Sequence, residues 1–263
     1  MRPIACAALA LLVVAAPGAA RAIDPAELAE LVRLSDGPPP RDALFEGDLH
    51  LAEAAASDFD LPVSLRPPVV AWMRYFLGGG RLFFERWLLR LAKQGPAMRA
   101  TLREAGLPAD LVFVALVESG LNDDAVSRTG ATGRWQFSVD TAHLSGLAVS
   151  RGRDERLDGP LSTRAAARHL AALHRAFGDW ELALAAYNGG VRHVREAIAQ
   201  GGSRDFWALA AAGRVSAEAA NYVPKIQAAA ILARHAGRFG LPATTDERTR
   251  PPDKAGESKR STQ

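Results

Sequence analysis

Cysteine is almost missing from this chain: one stands among 263 residues, at position 6. It falls inside the longest apolar run, the thirteen residues Ile4 to Ala16, which follows Arg2 and precedes the small-x-small triplet Ala20-Arg21-Ala22. That is the pattern of an export signal over residues 1–22, with Ile23 as the new N-terminus. The mature chain then has no cysteine, which excludes disulfides and thiol chemistry. Cys6 lies within the apolar core and not after it, so it is badly placed for lipid attachment. Thirteen residues are too few to span a bilayer comfortably. An uncleaved anchor is the rival reading, and no other segment is long and apolar enough to cross a membrane.

Lysine is scarce too: four among 32 basic residues, so arginine carries the formal charge of +3. This charge would suit an anionic polymer, but arginine-rich composition explains it better, and no nucleic-acid partner is drawn from it. Aromatic residues make up 7%, while alanine, leucine and arginine dominate, which favours a helical protein. The length allows one domain with a sizeable core and a helical extension. No internal repeat is visible. The histidines lack ligand spacing, since His169 and His174 are five apart and poorly aligned on a helix, so neither a metal nor a cofactor is expected.

Four stretches are predicted along the chain: 1–22 as signal peptide, 23–100 as N-terminal helical extension, 101–240 as catalytic domain and 241–263 as disordered tail. Gly37-Pro38-Pro39-Pro40 breaks the extension after a short helical pattern at Pro25 to Leu34. From Pro68 the pattern is helical, interrupted by Gly78-Gly79-Gly80. Trp72, Tyr75, Phe76, Phe83, Phe84 and Trp87 recur at helical spacings and read as core. Ser162 is expected to cap a helix ending at Gly178, Asp179 one from Trp180 to Tyr187, and Ser216 a longer one through Tyr222. Beyond Leu241 no apolar period remains.

The chemistry centres on Glu118, which ends the apolar run Leu111 to Val117. Leu107-Pro108-Ala109-Asp110 reads as a helix start and Gly120 as its left-handed terminator, placing Glu118 in the last turn. There the negative end of the helix dipole and burial among Leu and Val both raise its pKa. A carboxylic acid still protonated near neutral pH suits protonation of a leaving-group oxygen.

Further motifs come in order along the chain. Glu118-Ser119-Gly120-Leu121-Asn122, then Ser127 to Phe137 with Gly133-Arg134-Trp135-Gln136-Phe137, Asp154-Glu155-Arg156, Ala183 to Gly190, and Asn221-Tyr222-Val223-Pro224-Lys225-Ile226 resemble, in order and spacing, the lytic transglycosylase (SLT) domain family. The type they most resemble is the membrane-bound lytic murein transglycosylase D group, and the likeness covers roughly residues 65 to 240.

The resemblance implies a mainly α, lysozyme-like (goose-type/SLT) helical domain. It also implies cleavage of peptidoglycan between N-acetylmuramic acid and N-acetylglucosamine. One glutamate, here Glu118, would protonate the bridging oxygen and then act as base on the muramyl C6 hydroxyl, leaving a 1,6-anhydro end. By the same resemblance Ser127 and Gln136 would bind the muramyl region, Tyr187 and Asn188 would line the far wall, and Tyr222 would bring its hydroxyl to the acid. Each has a plainer alternative: Ser127 as a turn former, Gln136 as a backbone cap, Tyr222 as a packed aromatic. Trp135 reads as a packing anchor.

The implied partner is the peptidoglycan glycan strand in the periplasm, with peripheral membrane or wall association compatible. A goose-type-like lysozyme using Asp123, Asp124 or another acid, and a binding scaffold without turnover, remain as alternatives. Asp123 and Asp124 themselves read as a polar turn. Leu121, Arg134 and Ser138 depart from the family pattern, and Arg134 and Ser138 are expected to make one cleft wall more polar.

Overall fold

The computed structural model describes residues 59–244. The expectations for residues 1–58 (the export signal, the Pro25 to Leu34 helix) and for 245–263 lie outside the described residues. Nine α-helices stand among the described residues: α1 (Pro67–Leu77), α2 (Arg81–Glu104), α3 (Val112–Ser119), α4 (Val139–Leu144), α5 (Gly159–Phe177), α6 (Trp180–Gly189), α7 (Val191–Gly201), α8 (Phe206–Ala211) and α9 (Ala217–Arg234). A two-residue hairpin, β1 (Val149–Ser150) with β2 (Arg153–Asp154), pairs antiparallel between α4 and α5.

Five of the nine helices, α4, α5, α6, α8 and α9, begin where a side chain supplies an acceptor to their unpaired N–H groups. Prolines 67 and 68 open α1, where a missing N–H loses nothing. Asp179 accepts from Leu182 N at the start of α6, and Ser216 from Ala219 N at the start of α9. The expected cap of α5 is corrected: Asp158 caps it, accepting from Leu161 N at 2.7 Å, and Pro160 occupies the first turn. Ser162 lies one turn inside, where its hydroxyl donates back to Gly159 O. An aspartate preceding Gly-Pro outcompetes a serine that comes after it.

A single apolar core holds these helices together. The six aromatics of α1 and α2 are all buried in it, with Phe76 stacked on Phe84 at 4.4 Å and Phe83 against Trp87 at 4.1 Å. The division expected at residue 100 falls within α2, whose buried side runs from Phe83 to Leu102 without a break. Helix α9 packs against α1, α3 and α6, and α5 against α2 and α6. Past α9, Leu241 is buried and Thr244 Oγ1 donates to Ala233 O, so the chain stays attached through residue 244.

Pro108 precedes a 3-10 turn, Ala109–Leu111, that leads into α3. Asp110 in this turn is fully buried and accepts from Arg99 of α2 at 2.9 Å, Arg234 of α9 at 2.7 Å and Asp60 N at 3.0 Å. Burial pushes its carboxyl up to about 6, against the pull of Arg234. The cluster ties three parts of the chain together at the root of the helix that carries Glu118.

Candidate functional site

Every residue of α3 is buried except Glu118, which is half-buried. Gly120 ends the helix at φ 61°, as expected for a left-handed cap. Glycine is required there twice over, because a Cβ would also run into the indole of Trp87.

Ser119 fastens the loop after the helix: its hydroxyl accepts from Asn122 N at 3.0 Å and donates to Arg134 O at 2.9 Å. Glu118 and the 133–137 segment are therefore held at fixed separation by the residue between Glu118 and Gly120. Trp135 is fully buried and donates to Thr163 on α5 at 3.1 Å, the anchor role read from sequence. Arg156, ion-paired with Asp154, donates to Gly130 O and Phe137 O at 3.0 Å each and so stitches the loop closed.

Glu118 Oε1 accepts from the hydroxyl of Tyr222 at 2.6 Å, across from α9. Burial raises its pKa from 4.5 to about 7, while the Tyr222 hydrogen bond and the charge of Lys225 pull it down and Glu218 pushes it up. Tyr187 from α6 donates to Trp135 O at 2.7 Å, and burial together with the charge of Glu118 holds its phenol well above its ordinary value. Asn188 donates to Glu218 Oε1 at 3.0 Å. Glu118, Tyr187, Asn188 and Tyr222 are thus gathered where α3, α6 and α9 meet.

Ser127 and Gln136 are placed differently. Ser127 is buried, and its hydroxyl accepts from Ala131 N at 2.9 Å and pairs with Thr129, all within its own turn. Gln136, at φ 51°, donates to Gly133 O at 2.7 Å and Ala125 O at 3.2 Å. Its Oε1, like Oδ1 of Asn188, is buried without a hydrogen-bond partner. Buried acceptors are nearly always paired, so these two oxygens mark places for a donor.

One sequence expectation is corrected. Arg134 does not make the cleft wall polar: it is buried and grips Asp123 with Nε at 2.5 Å and Nη2 at 2.7 Å. Its departure from the family pattern is matched by an acid eleven residues earlier. Ser138 is exposed and caps α4, accepting from Thr141 N at 3.1 Å, so its hydroxyl serves the start of a helix. Sequence reasoning also missed Glu218 and Lys225. Their signal was present, because 218, 222 and 225 fall on one helical face. Among the described residues no group of three or more His, Cys, Asp or Glu is arranged to hold a metal ion.

Residues 96–210 match the family model of the Transglycosylase SLT domain. Over this stretch, less than half of its length, the chain is similar to the transglycosylase SLT domain. The SLT match contains Glu118 but ends before α9, so Tyr222 and Lys225 come from beyond it. The membrane-bound lytic murein transglycosylase D of Escherichia coli is 36% identical over 154 residues, which is 56% of this chain and 33% of that protein. The peptidoglycan transglycosylase gp16 of Escherichia phage T7 is 43% identical over 88 residues, 32% of this chain and 7% of that protein. The chain therefore spans about a third of the length of the first of these relatives. Among solved structures, an inactive mutant of lytic transglycosylase Slt from Pseudomonas aeruginosa matches with a TM-score of 0.45 and 22% identity, over 56% of this chain and 24% of that one.

Proposed function

We propose that this protein is an exported peptidoglycan lytic transglycosylase that cuts the β-1,4 bond between N-acetylmuramic acid and N-acetylglucosamine and leaves a 1,6-anhydromuramyl end. The observation that carries this is the Glu118–Tyr222 pair: a carboxyl with a pKa of about 7, accepting a 2.6 Å hydrogen bond on one oxygen. Tyr222 occupies Oε1 as donor, so the proton of the neutral acid resides on Oε2. From there it passes to the glycosidic oxygen as the bond to the muramyl C1 breaks. The carboxylate so formed takes the proton of the C6 hydroxyl, whose oxygen closes on C1. No water enters, and Glu118 ends protonated as it began. A pKa near the working pH lets one group serve in both directions.

The similarity to a murein transglycosylase of Escherichia coli and a peptidoglycan transglycosylase of phage T7 supports the substrate class. The unpaired oxygens of Gln136 and Asn188 are acceptors of the kind that sugar hydroxyls and N-acetyl N–H groups satisfy. With Tyr187 and Tyr222 they form the proposed glycan-binding set, and Ser127 shapes the loop that carries Gln136. Asp123 is held by Arg134, which argues against the lysozyme reading that used it as a base.

The export pattern read at 1–22 supports a periplasmic site of action with glycan strands as partner and is compatible with peripheral association with membrane or wall. No helix among the described residues is long and apolar enough to cross a membrane. We propose the extension at 23–100 as a support for the catalytic part at 101–240, exerted through its described residues 59–100, where α2 packs on α3 and α5.

The test is Glu118→Gln, which keeps the size of the side chain but removes the transferable proton. Loss of one acid–base group lowers rates by about 10²–10⁴-fold, and with both transfers removed the upper end is expected. Near-normal release of product by the folded variant would rule out Glu118 as the acid.

A further inference from the structure

We propose that Lys225 is a positioning residue for the proton of Glu118, a cation fixed beside the acid that keeps its ionised form within reach during turnover. This role rests on the reading of Glu118 as the acid. Lys225 lies one turn beyond Tyr222 on α9, so the residue that binds Glu118 directly and the cation that acts on it share a helix face. Its ammonium sits 5.2 Å from the ring centre of Trp72 on α1 and 6.0 Å from that of Trp87 on α2. An ammonium over indole faces is held electrostatically. Trp87 in turn lies directly against Gly120, the cap of the helix that carries Glu118. The cation is therefore located by the same indole that fixes the end of α3.

The two states of Glu118 explain why a fixed cation belongs here. Burial alone favours the neutral acid and would make the carboxylate, the state that must take the C6 proton, costly to form. Lys225 favours that carboxylate. The other groups around the pair are few. Glu218, on the same face of α9, pushes Glu118 toward protonation and steadies the charge on Lys225. Tyr222 and Tyr187 are neutral, and Arg90 of α2 donates to Gly120 O at 3.2 Å, at the end of α3. Burial lowers the Lys225 ammonium to about 8, against the pull of Glu118 and Glu218, so it is still charged at the pH where Glu118 titrates.

The test is a direct titration of Glu118 by carbon NMR of protein labelled at glutamate carboxyls, with Glu118→Gln identifying the resonance. Lys225→Met keeps length and packing against the indoles but removes the charge. The Glu118 midpoint should rise by roughly 0.5–1 unit, and Lys225→Arg should keep it within about 0.3 unit of the parent. If Lys225→Met fails to fold, Lys225→Gln serves with the same expectation. A midpoint that stays put or falls in a folded, uncharged variant overturns the proposal. The pH–rate profile on glycan strands separates this from failure of the underlying reading. If the midpoint rises and the limb of the profile does not move with it, the coupling of Lys225 to Glu118 stands and Glu118 is not the acid.

Discussion

Replacing Glu118 with Gln should change stability in a pH-dependent way that the structure fixes in sign. In the unfolded chain Glu118 ionises near 4.5, and in the folded protein near 7. Between those values the folded state holds a proton that the unfolded state has released, so the glutamate destabilises the fold progressively as pH rises. Below 4.5 both states are protonated and the penalty vanishes; above 7 it is complete. At about 1.4 kcal/mol per unit, the full shift corresponds to about 3 kcal/mol, and the partial exposure of the residue reduces this to about 1–3 kcal/mol. The glutamine amide of the variant still accepts from Tyr222 and carries no ionisable group. The difference in Tm between variant and parent should therefore be small at pH 4 and favour the variant by roughly 2–10 °C at pH 7.5. Thermal unfolding measured by circular dichroism across that range checks it. A difference that does not change with pH, or that favours the parent at pH 7.5, would refute the account of Glu118 as an acid held neutral by burial.

Arg134→Leu should destabilise by about 1–3 kcal/mol, because it strands Asp123 beside a buried site, and Arg134→Leu with Asp123→Asn should recover part of that loss in a double-mutant cycle of unfolding free energies. Gly120→Ala should cost more than about 2 kcal/mol, combining a left-handed backbone with an indole that has to move, and should lower activity by shifting the end of α3; an unchanged Tm would mean Trp87 yields freely.

Where the sequence was readable, the deciding chemistry was local. Gly120, Asp179 and Ser216 set helix ends within a few residues of themselves, so α3, α6 and α9 were visible from residue order alone. The core aromatics of α1 and α2 were equally visible from their spacing. Helices α4 and α8, six residues each, are too short to show a period, and the hairpin is two residues a side. The Ser162 reading failed because two adjacent capping signals compete and only one can win. Arg134 looked like a disturbance of the cleft because its partner, Asp123, is reached only when the loop doubles back. Within the site, Glu118 and Tyr222 were found from motifs, but the packing of Lys225 between two indoles from two other helices is a tertiary fact. The spacing 218, 222, 225 pointed to a shared face without saying what that face meets.

The central claim is that Glu118 works without water, and the product decides it. Purified cell wall digested in water enriched in the heavy oxygen isotope should yield muropeptides whose muramyl end lacks one water and carries no label. Labelled reducing ends would contradict the account and assign a base role to another acid, with Glu218, whose charge already acts on Glu118, the first to replace.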